Sequence, residues 1–535
     1  MPLRAVHLHA GLVVATILMG LSISWIDAIV FVAAVCVVQG TARRLSVVGA
    51  VALFRLSFPP CSWPTYWFCL APLVWIWRER QSDHSLARLA LEAVSVGFAM
   101  GWLSTGFVRA AIPARGWLLH AAACLVFSLQ FVGIAFAIRA QGNRPVVVGA
   151  VLTAVVAVGC ETAQAWCGLV WSVTSLSLPL AATPVAQWAA WITPLGVAGV
   201  LYWVNFLAMP DRRAKSVWGR WFGPITAACI GATAWFGGML IASEKDVAPL
   251  PFSAMLVQPH LCYEEDVTWR PWIELDRLTR ASLDRDGPVD LIVWPESCLS
   301  VSPLDDATGD IGSGARDFEH RLTVADFEAT LRPRYETNCL VGVAMWRQAV
   351  ETRYGLQVPT IRRYNCGCLI SRSGQIACYE KQVLVPFKEG LPAWLDGTEM
   401  RGRIIRLFRL EPGLSPGNRY RTLSFRDQRG REKTIAVSIC YEAFLFWLPQ
   451  YRKREDVDAI VHLVYDGGWR DHREVIERQI LACRYRAIET GRWNLVCSTW
   501  SGTTMIDPAG RIVRQLPPEA GVLRGNSVDR LVISN

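Results

Sequence analysis

The first half of this sequence has few charged residues. Over all 535 residues only 19% are charged and 52% are hydrophobic, and the mean hydropathy is +0.27. That composition excludes an ordinary soluble protein. Residues 12–242 form long apolar stretches with short polar breaks, whereas charge becomes frequent from Glu244 onward. The sequence therefore predicts a membrane-embedded half and a globular half large enough for its own core, with the boundary near 243–250.

The sequence also lacks the paired CxxC motifs of a zinc site. Its 16 cysteines are scattered, and the "CGC" at 366–368 is the only tight pair. We therefore expect neither a metal nor a cofactor. Nine cysteines follow residue 245. Because that number is odd, at least one of them stays unpaired or pairs between chains in an oxidising compartment.

The positive charge does not indicate a nucleic-acid partner. The formal net charge is +9, but the basic residues stand at the breaks between apolar stretches: Arg43, Arg44, Arg78, Arg80, Arg139, Arg144, Arg212, Arg213, Lys215 and Arg220. By the positive-inside rule these four breaks are cytoplasmic. Arg109 and Arg115 depart mildly from the pattern on the outer side. No small-residue cleavage site is followed by soluble sequence, so a cleavable signal peptide is not expected.

Several apolar stretches predict membrane-spanning helices. Five reach about 20 residues, the length that crosses a bilayer: 90–108, 118–138, 146–170, 185–208 and 221–241. Shorter stretches at 47–58 and 66–77 predict two helices joined by a proline-rich outer turn. Residues 8–42 form one long helix or two short ones around Asp27, and two are needed for Arg4 and Arg43 to share the cytoplasmic side. That gives nine spans, with the globular half outside the cytoplasm.

The globular half alternates strand-like and helix-like segments. Apolar runs predict strands at 252–259, 289–297, 339–346, 366–374, 434–442, 459–466 and 493–500. Helical spacing of apolar residues indicates helices at 266–284 and 471–490. No internal repeat or low-complexity segment is evident. Strands that alternate with helices predict an α/β layered fold.

Three predicted strand ends carry unusual chemistry. Glu296 follows "LIVWP", Lys381 precedes the apolar run "QVLVPF", and Cys440 follows "AVSI". Taken singly, each has a structural explanation: a solvated carboxylate at a sheet edge, a surface charge and a buried small hydrophobe. Together they supply a base, a cation and a thiol. Those groups can activate a cysteine nucleophile without histidine or metal.

The order "WPES", "YEKQVLVPFKEGLP" and "SICYE" resembles the nitrilase (carbon–nitrogen hydrolase) superfamily and its Glu–Lys–Cys triad. Within it, the sequence more closely resembles the membrane-bound apolipoprotein N-acyltransferase family, from about Leu53 to Arg524. Further motifs occur in the family's order: "FPPCSWPTYWFCLAPL", "GFAMGWLSTGF", "WITPLGVAGVLYWVNFLAM", "MLVQP", "RYNCG", "LSPG", "RYRAIETGR" and "IDPAGRIV".

This resemblance implies the fold and the domain limits. A polytopic α-helical membrane bundle would be followed by a nitrilase-type αββα sandwich. The bundle would occupy 45–243 and the catalytic domain 250–535. Residues 1–44 look like an additional apolar segment, expected to form two helices. The family's final transmembrane helix is missing after "GVLRGNSVDRLVISN", so we expect the C-terminus to lie outside the cytoplasm.

The resemblance also implies residue roles. Cys440 would attack the ester of a phospholipid acyl chain and form a thioester. Glu296 would be the general base, and Lys381 would hold the oxyanion, together with the backbone N–H that follows the cysteine. Glu389 would orient the lysine or share the role of base.

Four further residues have weaker implied roles. Tyr441 and Glu442 match the family's CYE and would shape the pocket wall. Trp269 stands where the family has a functional tryptophan on a lipid-facing arm, although an aromatic anchor at the membrane interface explains it nearly as well. Asn365 of "RYNCG" is expected to be structural.

The implied function is an N-acyltransferase of the bacterial inner membrane with its catalytic domain on the periplasmic side. It would move an acyl chain from a membrane phospholipid to the N-terminal amine of the diacylglyceryl-cysteine of an apolipoprotein. Two alternatives stay open. One is a membrane-tethered amidase or a paralogue with another amine acceptor. The other is a catalytically idle scaffold, which the matched base, cation and thiol disfavour.

Some positions depart from the family pattern. The glycine of the family's PFGE is Lys388, the asparagine of its SNDAWF is Tyr465, and its glutamine–histidine pair is Arg478–Gln479. Trp500 and Ser501 replace two asparagines of STNNG. These changes leave the Glu–Lys–Cys set intact and bear on the choice of acyl acceptor.

Overall fold

The structure is a computed structural model that describes most of the chain. The described residues are 25–38, 41–59, 64–79, 85–111, 116–142, 145–167, 172–211, 214–245, 247–261, 271–302, 322–323, 335–353, 356–395, 399–408, 413–448, 451, 456–525 and 533–534. The chain forms two compact units, Met1–Glu244 with Pro392–Leu410, and Lys245–Leu391 with Glu411–Asn535. The domain limits expected from the sequence, 1–44, 45–243 and 250–535, stay a prediction.

The first unit is α-helical, which is how long apolar segments satisfy their backbone hydrogen bonds without water. Its helices are α1 (Trp25–Val37), α2 (Thr41–Leu56), α3 (Ala71–Glu79), α4 (Leu86–Ser104), α5 (Val108–Ala111), α6 (Gly116–Ala140), α7 (Val146–Trp166), α8 (Ala189–Leu207), α9 (Val217–Glu244) and, further along the chain, α11 (Glu399–Phe408).

The long helices coincide with the predicted membrane spans. Among the described residues, five helices are long and apolar enough to cross a membrane: Leu86–Ser104, Gly116–Ala140, Val146–Trp166, Pro184–Leu207 and Val217–Glu244. The polytopic helical half predicted from the sequence is thereby confirmed. Helices α1, α2 and α3 are shorter, with 13, 16 and 9 residues.

One ion pair accounts for two unusual charges in this half. Asp27, in the first turn of α1, accepts hydrogen bonds on one carboxylate oxygen from Trp102 Nε1 at 2.7 Å and from Arg109 Nη1 at 3.1 Å. Trp102 lies on α4 and Arg109 on α5. A charge inside an apolar bundle is costly unless it is paired. The acid that interrupts the first apolar run and the basic residue on the outer side therefore neutralise each other.

Among its described residues, the second unit contains the strands and two α-helices. The helices are α10 (Pro271–Asp286) and α12 (Arg473–Thr490). The strands are β1 (Ala254–Gln258), β2 (Leu291–Val293), β3 (Leu299–Ser302), β4 (Leu322–Thr323), β5 (Asn338–Arg353), β6 (Leu356–Ile370), β7 (Ile376–Glu380), β8 (Leu423–Arg426), β9 (Glu432–Ile439), β10 (Ala459–Val464), β11 (Trp493–Ser498), β12 (Thr504–Ile506), β13 (Ile512–Gln515), β14 (Gly521–Gly525) and β15 (Ile533–Ser534).

The described strands form two sheets. The first has the order β15-β14-β1-β2-β5-β3-β4, with β6 paired to β5 and β7 paired to β6. The second has the order β13-β12-β11-β10-β9-β8. Strands β1, β2 and β5 are mutually parallel, and so are β9, β10 and β11.

The core lies between the two sheets. Leu256, Val293 and Leu340 of the first sheet pack with Val437 and Leu463 of the second in one buried cluster. The outer face of the first sheet is covered by α10 in a second buried cluster, and α12 packs on the second sheet. These layers form the αββα sandwich that the resemblance implied, and the predicted fold class is confirmed.

Candidate active site

Parallel strands bring the predicted site residues to one edge of the sandwich. Glu296 follows β2, and Lys381 comes directly after β7. Strand β7 is antiparallel to β6, which is antiparallel to β5, so β7 runs parallel to β2. In the second sheet, Cys440 comes directly after β9 and Tyr465 directly after β10. The carboxyl ends of these strands therefore supply the site, as is common for binding sites in parallel sheets.

A buried lysine lies between two carboxylates. The side chain of Lys381 is fully buried, and its Nζ lies 2.8 Å from Glu389 Oε1 and 3.5 Å from Glu296 Oε1. Glu389 also accepts a hydrogen bond from the backbone N–H of Val385 at 2.8 Å, which fixes its carboxylate. An ammonium has three N–H donors. One of them donates to Glu389, and Glu296 lies within ion-pair distance, so the ammonium keeps capacity for another acceptor.

Glu296 is held by two further donors. Asn365 Nδ2 donates to Glu296 Oε1 at 2.6 Å, and the backbone N–H of Tyr465 donates to Oε2, also at 2.6 Å. Both oxygens are therefore oriented before any substrate binds. Asn365 was expected to be structural, yet its amide contacts the carboxylate directly. Tyr465 contributes its backbone, which explains why the change of side chain at that position is compatible with the contact.

The backbone at Cys440 is in the left-handed region, with φ of 49°. This conformation is unfavourable for a residue with a Cβ and persists where the surroundings enforce it. Gln479 of α12 helps to enforce it, because its Nε2 donates to the carbonyl oxygen of Cys440 at 2.8 Å. Ser297 and Phe387, adjacent to or near Glu296 and Glu389, also have positive φ. Three of the six described non-glycine residues with positive φ therefore lie at or near the predicted site residues.

The electrostatics keep the thiol neutral at rest. Burial, and next the nearby Glu296 carboxylate, raise the pKa of Cys440 well above its ordinary value, although Lys381 opposes them. Burial likewise raises the pKa of Glu296, against the opposing charge of Lys381. Burial alone would lower the pKa of Lys381, but Glu389 and Glu296 outweigh it and raise that pKa. The lysine therefore stays charged, and the thiol needs a base to ionise it.

Glu442 links the segments that carry the cysteine and the lysine. Its carboxylate is fully buried and accepts hydrogen bonds from the backbone N–H groups of Ile439 and Gln382 and from Tyr379 Oη, at 2.8–2.9 Å. Burial raises its pKa to about 7. Tyr441 is also buried. Glu442 thus braces the loop after β7 against the end of β9.

The other residues singled out in the sequence are Trp269 and three departures from the family pattern, Lys388, Trp500 and Ser501. Trp269 lies outside the described residues. Lys388 places its Nζ 5.0 Å from the ring centroid of Trp469. The backbone N–H groups of Trp500 and Ser501 donate to the carboxylate of Asp466, at 2.7 and 3.2 Å. Within the described part of the chain, no group of three or more His, Cys, Asp or Glu is arranged to hold a metal ion.

Two contacts in this geometry were not predicted from the sequence: that of Asn365 with Glu296 and that of Gln479 with Cys440. Asn365 had a usable signal, because an asparagine in a buried strand needs partners for its amide. Gln479 was noted only as a departure from a family motif, although it contacts the cysteine backbone. Neither contact could be derived from the sequence, because each depends on how β6 or α12 packs against a strand that is distant along the chain.

Comparisons with known proteins agree with this architecture. Residues 254–526 match the family model described as carbon-nitrogen hydrolase, and residues 49–207 match the one described as apolipoprotein N-acyltransferase N-terminal domain. The apolipoprotein N-acyltransferase of Chlamydia caviae is 26% identical over 50% of this chain and 48% of its own length. That of Pseudomonas aeruginosa (strain LESB58) is 28% identical over 55% of this chain and 52% of its own. The chain thus spans about half the length of the curated relatives it matches.

Proposed function

This chain belongs to the carbon–nitrogen hydrolase family, and from that membership we propose that it is a membrane-bound N-acyltransferase with Cys440 as its nucleophile. The acyl donor would be a membrane phospholipid, and the acceptor the N-terminal amine of a diacylated apolipoprotein. One observation carries the proposal. The buried Glu296–Lys381 pair beside Cys440 occurs in a chain whose N-terminal half matches the apolipoprotein N-acyltransferase N-terminal domain.

In the first half-reaction, Glu296 takes the proton of the Cys440 thiol as the sulfur attacks the ester carbonyl carbon of the donor. The carbonyl oxygen becomes an oxyanion, and the Lys381 ammonium donates a hydrogen bond to it. When the C–O bond breaks, Glu296 returns the proton to the leaving alkoxide, which departs as a lysophospholipid. Cys440 is left as a thioester.

In the second half-reaction, the acceptor amine attacks the thioester carbonyl. Glu296 now takes the amine proton, and Lys381 stabilises the second oxyanion. The C–S bond breaks, the amide is released, and the Cys440 sulfur recovers its proton from Glu296. The raised pKa of Glu296 suits both directions of transfer, because it brings the carboxyl closer to the pH at which it works.

We place the protein in the bacterial inner membrane, with the catalytic unit on the periplasmic side. The support is the run of basic residues at alternate breaks between apolar stretches. This side would give the site access to acceptors that have already crossed the membrane.

Acyl transfer to a lipopeptide tests the proposal. Purified protein is incubated with acyl-labelled phospholipid and a synthetic diacylated lipopeptide, and the label is followed by mass spectrometry. We expect the label in amide linkage on the lipopeptide, no transfer to a lipopeptide whose N-terminus is acetylated, and no transfer by Cys440→Ala. Release of free fatty acid at a rate independent of the lipopeptide would show a hydrolase instead.

A further inference from the structure

A cation lies beside the site at a position where the resembled family has glycine. Lys388 and Glu389 are neighbours in the tight turn that follows β7, in which the backbone N–H groups of both residues donate to Val385 O. The two side chains have different partners. Glu389 contacts the buried ammonium of Lys381, whereas Lys388 lies over the face of Trp469. The turn therefore contributes one charge to the buried cluster and a second, positive charge next to it.

The ammonium of Lys388 has unused hydrogen-bonding capacity. Within the described part of the chain, no carboxylate lies within ion-pair distance of it, and the Trp469 ring is 5.0 Å from Nζ. An aromatic face attracts a cation but accepts none of its N–H groups in the way an oxygen does. The side chain is half-buried. A partly desolvated cation of this kind favours an anionic oxygen ligand.

Lys388 adjoins the buried cluster, because the next residue of the same turn, Glu389, contacts Lys381 Nζ at 2.8 Å. Burial and the Glu296 carboxylate dominate the raised pKa of Cys440, and the charge of Lys388 is among the groups that oppose them. An anion bound by Lys388 would therefore lie near the atom that attacks the ester. In a glycerophospholipid, the phosphodiester and the ester share one glycerol, so the two groups are only a few bonds apart.

We propose that Lys388, supported by the face of Trp469, recognises the phosphodiester of the acyl donor and so makes Cys440 react faster with phospholipids than with neutral glycerolipids. This inference rests on the proposed function and adds the donor specificity of the same site. The acceptor carries no phosphate, so the contact acts on the first half-reaction. Lys388 would therefore give this chain a preference among donors. The variant Lys388→Gly, which restores the glycine of the resembled family, should remove that preference.

Donor preference is the experimental readout. The rate of thioester formation on Cys440 is measured with phosphatidylglycerol and with diacylglycerol of the same acyl chains, in the full-length protein. We expect the wild type to prefer phosphatidylglycerol. Lys388→Gln and Lys388→Gly should lower the ratio of the two rates about tenfold, as expected for the loss of one charged hydrogen bond, and Lys388→Arg should retain most of it.

A matched control removes a charge elsewhere. Arg429 is exposed in the turn before β9, at the opposite end of the strand from Cys440. Eight residues of strand separate them by about 25 Å. Arg429→Gln should leave the ratio unchanged. A similar fall in this control would overturn the proposal, because the effect would then be one of net charge.

Other outcomes separate the two proposals. If the wild type acylates Cys440 equally well from both donors, the phosphodiester contact is wrong and the acyltransferase proposal stands. If Lys388→Gln slows both donors equally, Lys388 acts on the thiol and not on the donor. Inhibition by inorganic phosphate that disappears in Lys388→Gln would assign the site to free phosphate. If no donor acylates the wild type, the proposed function itself fails.

Discussion

Among the single residues, the proposed base, Glu296, is held in place by several hydrogen bonds and charges. Burial raises the pKa of Glu296, while Lys381, Asn365 and the backbone N–H of Tyr465 favour its charged form. The thiol of Cys440 is neutral at rest. In the proposed mechanism, acylation requires Glu296 to be deprotonated and able to accept the thiol proton, so the rate should fall as the pH drops through the pKa of Glu296.

Asn365→Ala tests this dependence. The Asn365 amide donates to Glu296 and lowers its pKa, so removing it should raise that pKa further. The base is present only above its pKa. The acid limb of the pH–rate profile for acylation should therefore move to higher pH, by roughly one unit or more.

Asn338→Ala is the matched control. Asn338 is also an asparagine with 3% of its surface exposed, but it bonds to Asp290 O and Arg426 O at the start of β5. This substitution should lower the stability of the fold without moving the acid limb of the pH–rate profile. An unmoved or acid-shifted limb in Asn365→Ala would show that Glu296 is not the base.

At the scale of elements, strand β5 supports Glu296 by leaving space for it. A Cβ at Gly342 would lie 2.0 Å from Pro295 O and 2.6 Å from Glu296 Cα, both backbone atoms that cannot turn away. Gly342→Ala should displace Glu296 and lower the acylation rate about 100-fold, as expected for a displacement near 1 Å.

The control for this variant is Gly159→Ala on α7, where an added Cβ would meet nothing within 4 Å. It should retain the wild-type rate. Thermal melting of both variants reports whether they fold. A folded Gly342→Ala protein with the full acylation rate would contradict the close approach of β5 to Glu296.

The sequence predicted the elements better than the contacts between them. The expected strands at 252–259, 434–442 and 459–466 correspond to Ala254–Gln258, Glu432–Ile439 and Ala459–Val464. Periodicity and apolar runs are local signals, so these strands could be predicted directly from the sequence. The disulfide between Cys368 and Cys378 could not, because it depends on the register of β6 against β7.

At the site too, the sequence indicated the chemistry of the residues but not the contacts between them. Glu296, Lys381 and Cys440 follow strands, and their residue types indicated the chemistry. The positive φ of Cys440 and its anchor at Gln479 follow from the packing of α12 on the second sheet, which no local pattern encodes. Likewise, Asp27 is an acid within an apolar run and Arg109 a basic residue on the predicted outer side, and each is unexpected when considered alone. The packing of the helices brings them together as an ion pair.

For the whole molecule, the proposed function requires the unit that contains Cys440 to lie outside the cytoplasm. The basic residues at alternate breaks of the apolar stretches predict this orientation. Alkaline phosphatase fused after Asn535 should be active, and a green fluorescent protein fused at the same place should be dark. The reverse pattern would overturn the orientation and, with it, access to translocated acceptors.

The proposed function depends on Cys440 carrying the acyl chain as a thioester. The most direct measurement is the intact mass of the protein after incubation with phospholipid alone, followed by peptide mapping and treatment with neutral hydroxylamine. We expect one acyl group in thioester linkage on Cys440, released by hydroxylamine, and none in Cys440→Ala, Lys381→Ala or Glu296→Gln proteins that remain folded. An acyl group on any of the other cysteines, or an unchanged adduct in Cys440→Ala, would contradict it.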